Sequence, residues 1–422
     1  MTSQFSKYRI ILITFLALLL RVVYLLYKGP SLYSDSEEYL SLGNSLLRYW
    51  TLGFESLPYH STAFRPPGYS FLIAPFLFFE HAPWLISLAQ ALIGALTVYF
   101  TFLLAKKYFG VRVATLASIL LAFEPLSVHF TSIVMSETIF TFLVVSGVYS
   151  LVSNKPIVSG LLFGSATLTR PVMLPVVVAF LLIAVFSKSK SVRRSLFLSS
   201  AISVLLVSVW TIRNAVLLRE FIPVSSTGYG YNLLCGTIDV PMIQDEGWAA
   251  VAADPAIKER RERLIEGWTE SQTDKALAKI AVRRILDNPS NWLRIRTKQY
   301  TRLYIDSAPY ILGKNNITFR QALDNGNLYF LGYKLLLVSR IFVALFLSLF
   351  AIFFLRRRLR ELSIFLAFPV ILALMHIPLW TEVRYILPII PFLCILSAYT
   401  IVRTYNFLVA VFNIGDKPFG ET

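Results

Sequence analysis

Apolar runs of about 20 residues, separated by short basic loops, dominate this chain and leave it few folds to adopt. A helix of that length crosses the roughly 30 Å hydrocarbon core of a bilayer at about 1.5 Å per residue. Inside lipid every backbone amide needs an internal partner, so such runs fold as helices rather than loops. Runs at 9–27, 84–105, 111–129, 137–153, 156–170, 172–187, 195–212, 334–355, 361–379 and 385–403 predict an all-α polytopic membrane protein with about ten spans. A mean hydropathy of +0.64, with 56% hydrophobic and only 15% charged residues, agrees with that class.

The net charge of +16 would point to nucleic acid in a soluble chain. Here the basic residues alternate with the spans. Lys7 and Arg9 precede the first run, and Lys106, Lys107 and Arg112 lie between the second and third. Lys155, then Lys188, Lys190, Arg193 and Arg194, then Arg356, Arg357, Arg358 and Arg360 fill later loops of the same parity, and Arg403 follows the last run. The positive-inside rule places these loops and both termini in the cytoplasm of a plasma membrane and the other loops outside, with no call for nucleic acid. No small-residue cleavage site follows the first run, which reads as a retained span. Cys235, Cys394 and the four histidines show neither a disulfide framework nor ligand spacing, so no metal site is indicated.

Three parts result: a seven-span module at 1–212 with a long external loop at 28–83, an external segment at 213–333, and a three-span module at 334–422. The external segment predicts a small helical cap. Its stretch 273–305 reads as two amphipathic helices parted at Asn288-Pro289, with Leu277, Ile280, Ala281 and Ile285 as one stripe. "NNIT" at 315–318 formally fits a glycosylation acceptor.

The first external loop holds the most unusual chemistry. In "SEEYLSLGNSLLRYW", Tyr39, Leu42, Leu46 and Tyr49 recur at helical spacing and predict an interfacial helix, with Ser34 or Ser36 as its cap. Asp35, Glu37 and Glu38 then fall in its first turn, where the helix dipole favours acids. "RPPG" follows at 65–68, two prolines stiffening the backbone beside Arg65. The apolar stretch after it, broken by Pro75, is too short to span and reads as interfacial or re-entrant. Glu137, Arg170, Arg213, Glu382, Arg384 and Tyr385 are predicted at the same outer rim. Acids at the hydrocarbon boundary are costly and are kept for function. Guanidinium forks bind phosphate, and an acid beside a hydroxyl or amine acts as general base. A phosphate at that depth belongs to a lipid, so the residues suggest a lipid-phosphate substrate attacked by an external acceptor.

The bland readings are helix-capping acids at Asp35 and Glu137, solvated acids at Glu37 and Glu38, and headgroup anchors at the arginines. Arg21, near the outer end of the first span, reads as snorkelling or paired with an acid.

Taken together, "DSEEYLSLGNSL", "FRPPGYSFLIAPF", "MSETIFTFL", "GLLFGSATLTRPV", "WTIRNAVLLREFIPVSSTGYGYNLLCG" and "RYILPIIP" resemble the GT-C-type glycosyltransferases of the protein O-mannosyltransferase and lipid A aminoarabinose transferase superfamily. The resemblance implies a GT-C-like bundle and a sugar donor linked to polyprenyl phosphate. It implies an inverting displacement with Asp35 as base and Glu137 as a second acid. The family's Asp-Glu-x-x-Tyr is matched at its ends by Asp35 and Tyr39, with Ser36 in place of the Glu. Its phosphate-binding Lys-Pro-Pro is matched by Arg65-Pro66-Pro67, with Arg384 and Arg170 as further phosphate ligands. Tyr39, Glu38, Arg213 and Tyr385 are the supporting residues. Some relatives carry a metal-linked acid before Lys-Pro-Pro; Phe64 stands there, so a divalent metal is possible but not indicated. The acceptor is a protein, a glycolipid or a glycan. The competing reading is a transporter or flippase of a lipid-linked sugar. It calls for mid-span charges and internal repeats, whereas most charges sit at the outer rim and no repeat is found.

Overall fold

The apolar runs fold as helices, and each of the ten predicted runs overlaps an apolar helix. The computed structural model describes residues 2–54, 60–226, 228–240, 244–305, 311–312, 319–359 and 361–412. The "NNIT" stretch lies outside these residues. In chain order the helices are α1 (Thr2–Lys28), α2 (Ser34–Tyr49), α3 (Pro67–Ile73), α4 (Ala82–Ala122), α5 (Pro125–His129), α6 (Glu137–Val152), α7 (Pro156–Thr169), α8 (Leu174–Phe186) and α9 (Lys190–Leu218). Then come α10 (Tyr229–Cys235), α11 (Gln244–Ala253), α12 (Pro255–Ile265), α13 (Glu270–Asp287), α14 (Pro289–Ile305), α15 (Phe319–Asp324), α16 (Leu328–Phe354), α17 (Ser363–Met375) and α18 (Ile390–Phe412). Among the described residues the only ladder is Gly53–Phe54 against His60–Ser61.

Five helices are long and apolar enough to cross a membrane: α1 from Tyr8, α4, α9, α16 and α18. The chain is a membrane protein. The apolar helices α6, α7, α8 and α17 have 13–16 residues each, shorter than the roughly 20 a full crossing takes. The two predicted runs at 84–105 and 111–129 are limbs of one element, α4, broken at Gly110 with φ +82° and ψ 176°. That conformation suits a residue without Cβ. The second limb ends at Ala122, short of the predicted end, because Pro125 opens α5 with Glu124 as its cap.

α4 is the hub of the bundle. It packs against α1, α6 and α18, while α6, α7, α9 and α8 follow one another round one side and α16 leans on α18. The core between them is aliphatic and aromatic, from Ala17 and Phe102 to Phe163 and Phe392. Arg21 lies inside this core, almost wholly buried. It neither snorkels nor forms an ion pair among the described residues; its Nη1 donates to the carbonyls of Ala17 and Ala122.

The helices of 229–305 form a second layer. Leu277 and Ala281 are buried with Leu233, Leu234 and Ala256, and Ile280 and Ile285 pack on them, as the predicted stripe requires. The break between α13 and α14 falls at Asn288-Pro289. α14 grips the chain that leads into the last bundle helix. Buried Arg296 donates from Nε to Ile377 O at 2.6 Å, Tyr300 to Ala373 O at 2.9 Å, and Thr381 to Gln299 O at 2.9 Å. Trp380 N donates to Asn232 O of α10. The short segment 376–387 is thereby fixed from both sides.

Candidate active site

Four separate stretches meet at one end of the bundle and interleave acids with arginines. α2 begins with Tyr33 as its cap residue. Ser36, predicted as a cap, accepts the Tyr33 N–H at 2.9 Å from the first turn. Asp35 and Glu38 are three residues apart on α2 and so share a face. Arg65 reaches both, Nη2 to Asp35 Oδ1 at 2.7 Å and Nε to Glu38 Oε2 at 2.5 Å. Arg384, on a turn of 3-10 helix at Val383–Ile386, reaches Asp35 Oδ2 at 2.9 Å and Glu137 Oε1 at 3.6 Å through Nη1. Arg170, at the end of α7, donates to the same Glu137 Oε1 at 2.7 Å. The result is a row: Glu38, Arg65, Asp35, Arg384, Glu137, Arg170.

Local sequence explains this placement. Pro67 occupies the first turn of α3, where its missing N–H costs nothing, and Pro66 is extended before it (φ −59°, ψ 141°). Arg65 is held at the mouth of this rigid pair. Gly68 lets α3 lie against the end of α7, since a Cβ there would sit 2.9 Å from Leu168 C and Thr169 N. That close approach brings "RPPG" beside "TRP". Gly68→Ala is therefore expected to push Arg65 from Arg170 and lower activity about 10- to 100-fold, because misplacement by about 1 Å costs that much. The check is turnover in a variant whose melting temperature is recorded alongside; unchanged turnover would contradict it.

The acids are partly or deeply buried: Asp35 is 21% exposed at its side chain and Glu137 only 2%. Burial pushes the Asp35 carboxyl up, but Arg384, Arg65 and Arg170 override it and hold it at about 2. Burial works against the charged form of Arg384, yet Glu382 and Asp35 raise it well above its ordinary value. The Tyr39 phenol is raised by burial, and the Tyr385 phenol is pushed up to about 12 by burial and Glu382, so both act as protonated donors. Tyr39 lies edge-on to Tyr69 with centroids 4.8 Å apart, and Arg65 lies over its ring. Tyr385 sits under both Arg170 and Arg384, at 5.2 and 5.5 Å.

Each arginine keeps a donor that the protein does not use. Among the described residues Arg65 Nη1, Arg170 Nη2 and Arg384 Nη2 have no protein partner. Glu137 Oε2 likewise has no hydrogen-bond partner. Such a site can take an anion with several oxygens on its guanidinium edge and a proton on its carboxylate edge. No group of three or more His, Cys, Asp or Glu among the described residues is arranged to hold a metal ion.

The structure gathers Asp35, Glu137, Arg65, Arg170, Arg384, Tyr39, Glu38 and Tyr385. Glu38 is ion-paired rather than solvated, while Glu37 is exposed. Arg213 is not in the row. It clamps the first external loop, donating to Thr62 O at 2.9 Å, Thr51 Oγ1 at 2.7 Å and Leu52 O at 3.1 Å. Glu382, which the sequence places at the rim without a role, has its Oε2 2.7 Å from Arg384 Nε. Its signal was the pair of opposite charges two residues apart in a short loop between apolar runs.

Known proteins give the same picture of the architecture. Residues 64–212 match the profile of the dolichyl-phosphate-mannose-protein mannosyltransferase family, a stretch that holds Arg65, Glu137 and Arg170. A search of curated protein sequences finds no significant match. The apo oligosaccharyltransferase of Archaeoglobus fulgidus superposes with a TM-score of 0.56 at 14% identity, over 97% of this chain and 52% of that one. This chain has the GT-C fold. The archaeal oligosaccharyltransferase AglB of the same organism, in complex with an inhibitory peptide and a dolichol-phosphate, gives a TM-score of 0.54 at 13% identity, over 99% and 52% of the two chains. ArnT from Cupriavidus metallidurans bound to undecaprenyl phosphate gives 0.43 at 14% identity, over 95% and 79%. The GT-C chain described here thus spans about half the length of the oligosaccharyltransferases it matches.

Proposed function

We propose that this GT-C protein is an inverting glycosyltransferase, moving a hexosyl or pentosyl group from a polyprenyl-phosphate-linked donor to an acceptor at the external face of the plasma membrane. The observation that carries the reading is the row of three guanidiniums, each with at least one donor unused among the described residues, interleaved with Asp35 and Glu137. A sugar phosphodiester carries one negative charge. Its cleavage leaves a phosphate monoester with more, and preorganised cations favour that change. The acceptor oxygen or nitrogen attacks the anomeric carbon while the bond from that carbon to the phosphate oxygen breaks. The acceptor proton passes to Asp35, and the polyprenyl phosphate leaves against Arg65, Arg384 and Arg170.

The resting ion pairs have a further consequence. Asp35 at about 2 is a weak base while two arginines hold it. Phosphate competes for the same arginines, and each one it draws away makes Asp35 more basic. Donor binding and base activation are thus coupled. The dolichol-phosphate and peptide bound to the oligosaccharyltransferase neighbour support a lipid-phosphate donor and a protein, glycolipid or glycan acceptor here. The external side follows from the basic loops, Lys106 to Arg112, Lys155, Lys188 to Arg194 and Arg356 to Arg358, at the opposite ends of the helices from the acid–arginine row. No divalent metal is assigned.

Binding of polyprenyl phosphate to the purified protein, followed by native mass spectrometry, tests the phosphate site. The wild type is expected to bind, and Arg65→Gln with Arg384→Gln together to weaken binding at least 10-fold, about 1.4 kcal/mol. Equal binding by both proteins would remove these arginines from phosphate recognition.

A further inference from the structure

We propose that Glu382 is a positioning residue of this reaction, its carboxylate fixing the plane of the Arg384 guanidinium so that the free Nη2 faces the donor phosphate. The inference rests on the function proposed above and adds a residue to it.

An arginine side chain has many rotamers and must be held at more than one nitrogen to present a defined edge. Arg384 is held at two, by a hydrogen bond at Nη1 and by a close ion pair at Nε whose N–H makes no hydrogen bond. Glu382 Oε2 lies 2.7 Å from Nε, and Asp35 Oδ2 lies 2.9 Å from Nη1. The remaining edge nitrogen, Nη2, has no protein partner among the described residues. The carboxylate is itself oriented, because Trp380 Nε1 donates to Glu382 Oε1 at 3.1 Å. Trp380 and Glu382 are both buried, and the Trp380 backbone N–H is anchored on Asn232 O. The chain of support runs from α10 through Trp380 and Glu382 to Arg384.

Chemistry at this point demands a carboxylate. Trp380 Nε1–H donates to one oxygen of Glu382, and the cationic Arg384 Nε lies 2.7 Å from the other as an ion pair. A glutamine of the same shape has one acceptor oxygen and one NH2 group, so its NH2 would face either the Trp380 N–H or the Arg384 cation, and the ion pair is lost in both cases. A pure charge role makes the opposite forecast. Removing a negative charge beside the phosphate would strengthen donor binding, since like charges repel.

The experiment compares wild type, Glu382→Gln, Arg384→Gln and the double variant, measuring polyprenyl phosphate affinity and donor turnover on each. Glu382→Gln alone is expected to lower kcat/KM for the donor about 10- to 100-fold, and in the Arg384→Gln background to change it less than about twofold, because the residue acts only through Arg384. Trp380→Phe keeps the ring bulk, removes the Nε1 donor, and is expected to lower kcat/KM in the same direction by a smaller factor. A full additional loss in the double variant, or donor affinity that rises in Glu382→Gln with turnover intact, would overturn the inference while leaving the proposed function standing. A wild type with neither binding nor turnover would overturn both.

Discussion

Asp35→Asn is expected to lower sugar transfer by about 100-fold or more while leaving donor binding intact or tighter. A positioned general base contributes about 10²- to 10⁴-fold, and asparagine cannot take the acceptor's proton. The amide keeps the shape, but of Arg65 and Arg384, which reach the two Asp35 oxygens at 2.7 and 2.9 Å, only one can still donate to it, and the other faces its NH2 group. With the anion gone, both guanidiniums are less neutralised and attract phosphate more strongly. The signature is therefore a split: kcat falls and KM for the donor does not rise. A parallel loss of both would mean that Asp35 serves binding only. Equal turnover would move the search for the base to Glu137, whose buried Oε2 has no partner among the described residues.

The same carboxylate gives a signed pH dependence of stability. Its folded value is depressed from the usual 3.8 to about 2. Stability from its pairing is fully present above pH 4 and is lost as pH falls through 2, on the order of 2 kcal/mol.

Arg384→Gln has the second large expected effect, about 10²- to 10³-fold in kcat, the range seen when one preorganised donor to a developing anion is removed. Arg384 is the only side chain among those described that reaches Asp35, Glu137 and Glu382 together. Its loss also frees Asp35. Burial then acts on that carboxyl against one fewer cation, so its proton affinity rises. In the wild type, Asp35 stays ionised across pH 4–9 and produces no acid limb in kcat/KM. In Arg384→Gln an acid limb is expected to enter that range from below. A profile superimposable on the wild type, scaled down, would contradict the coupling of Arg384 to Asp35.

Much of this was legible before the structure, for reasons specific to each residue. The spans follow from apolar run length, a property of the bilayer rather than of tertiary packing. The helical spacing from Tyr39 to Tyr49 places Asp35 and Glu38 in one first turn, the resemblance singles out Asp35, and the rigid Pro66-Pro67 pair marks Arg65. What sequence spacing does not carry is which of several rim arginines turn inward. Arg170 and Arg384 point into the row, whereas Arg213 turns to the carbonyls of the first external loop. Glu382 was placed at the rim but given no role for a similar reason. Two charges two residues apart diverge on a helix but share a face on a strand, and the sequence of a short loop does not say which applies; the 3-10 turn at Val383–Ile386 brings Arg384 to Glu382. Arg21 shows the limit of the membrane rule itself. An arginine seven residues from the end of α1 has the reach to snorkel, but close packing against α4 offers it backbone carbonyls instead.

The measurement that bears most directly on the central claim is cleavage of labelled sugar from a panel of polyprenyl-phosphate sugars by the purified wild type, run beside a translocation assay in proteoliposomes. The account predicts release or transfer of sugar from at least one donor, with polyprenyl phosphate as the second product. Translocation of an intact lipid-linked sugar with no cleavage from any donor would contradict it and make the protein a transporter.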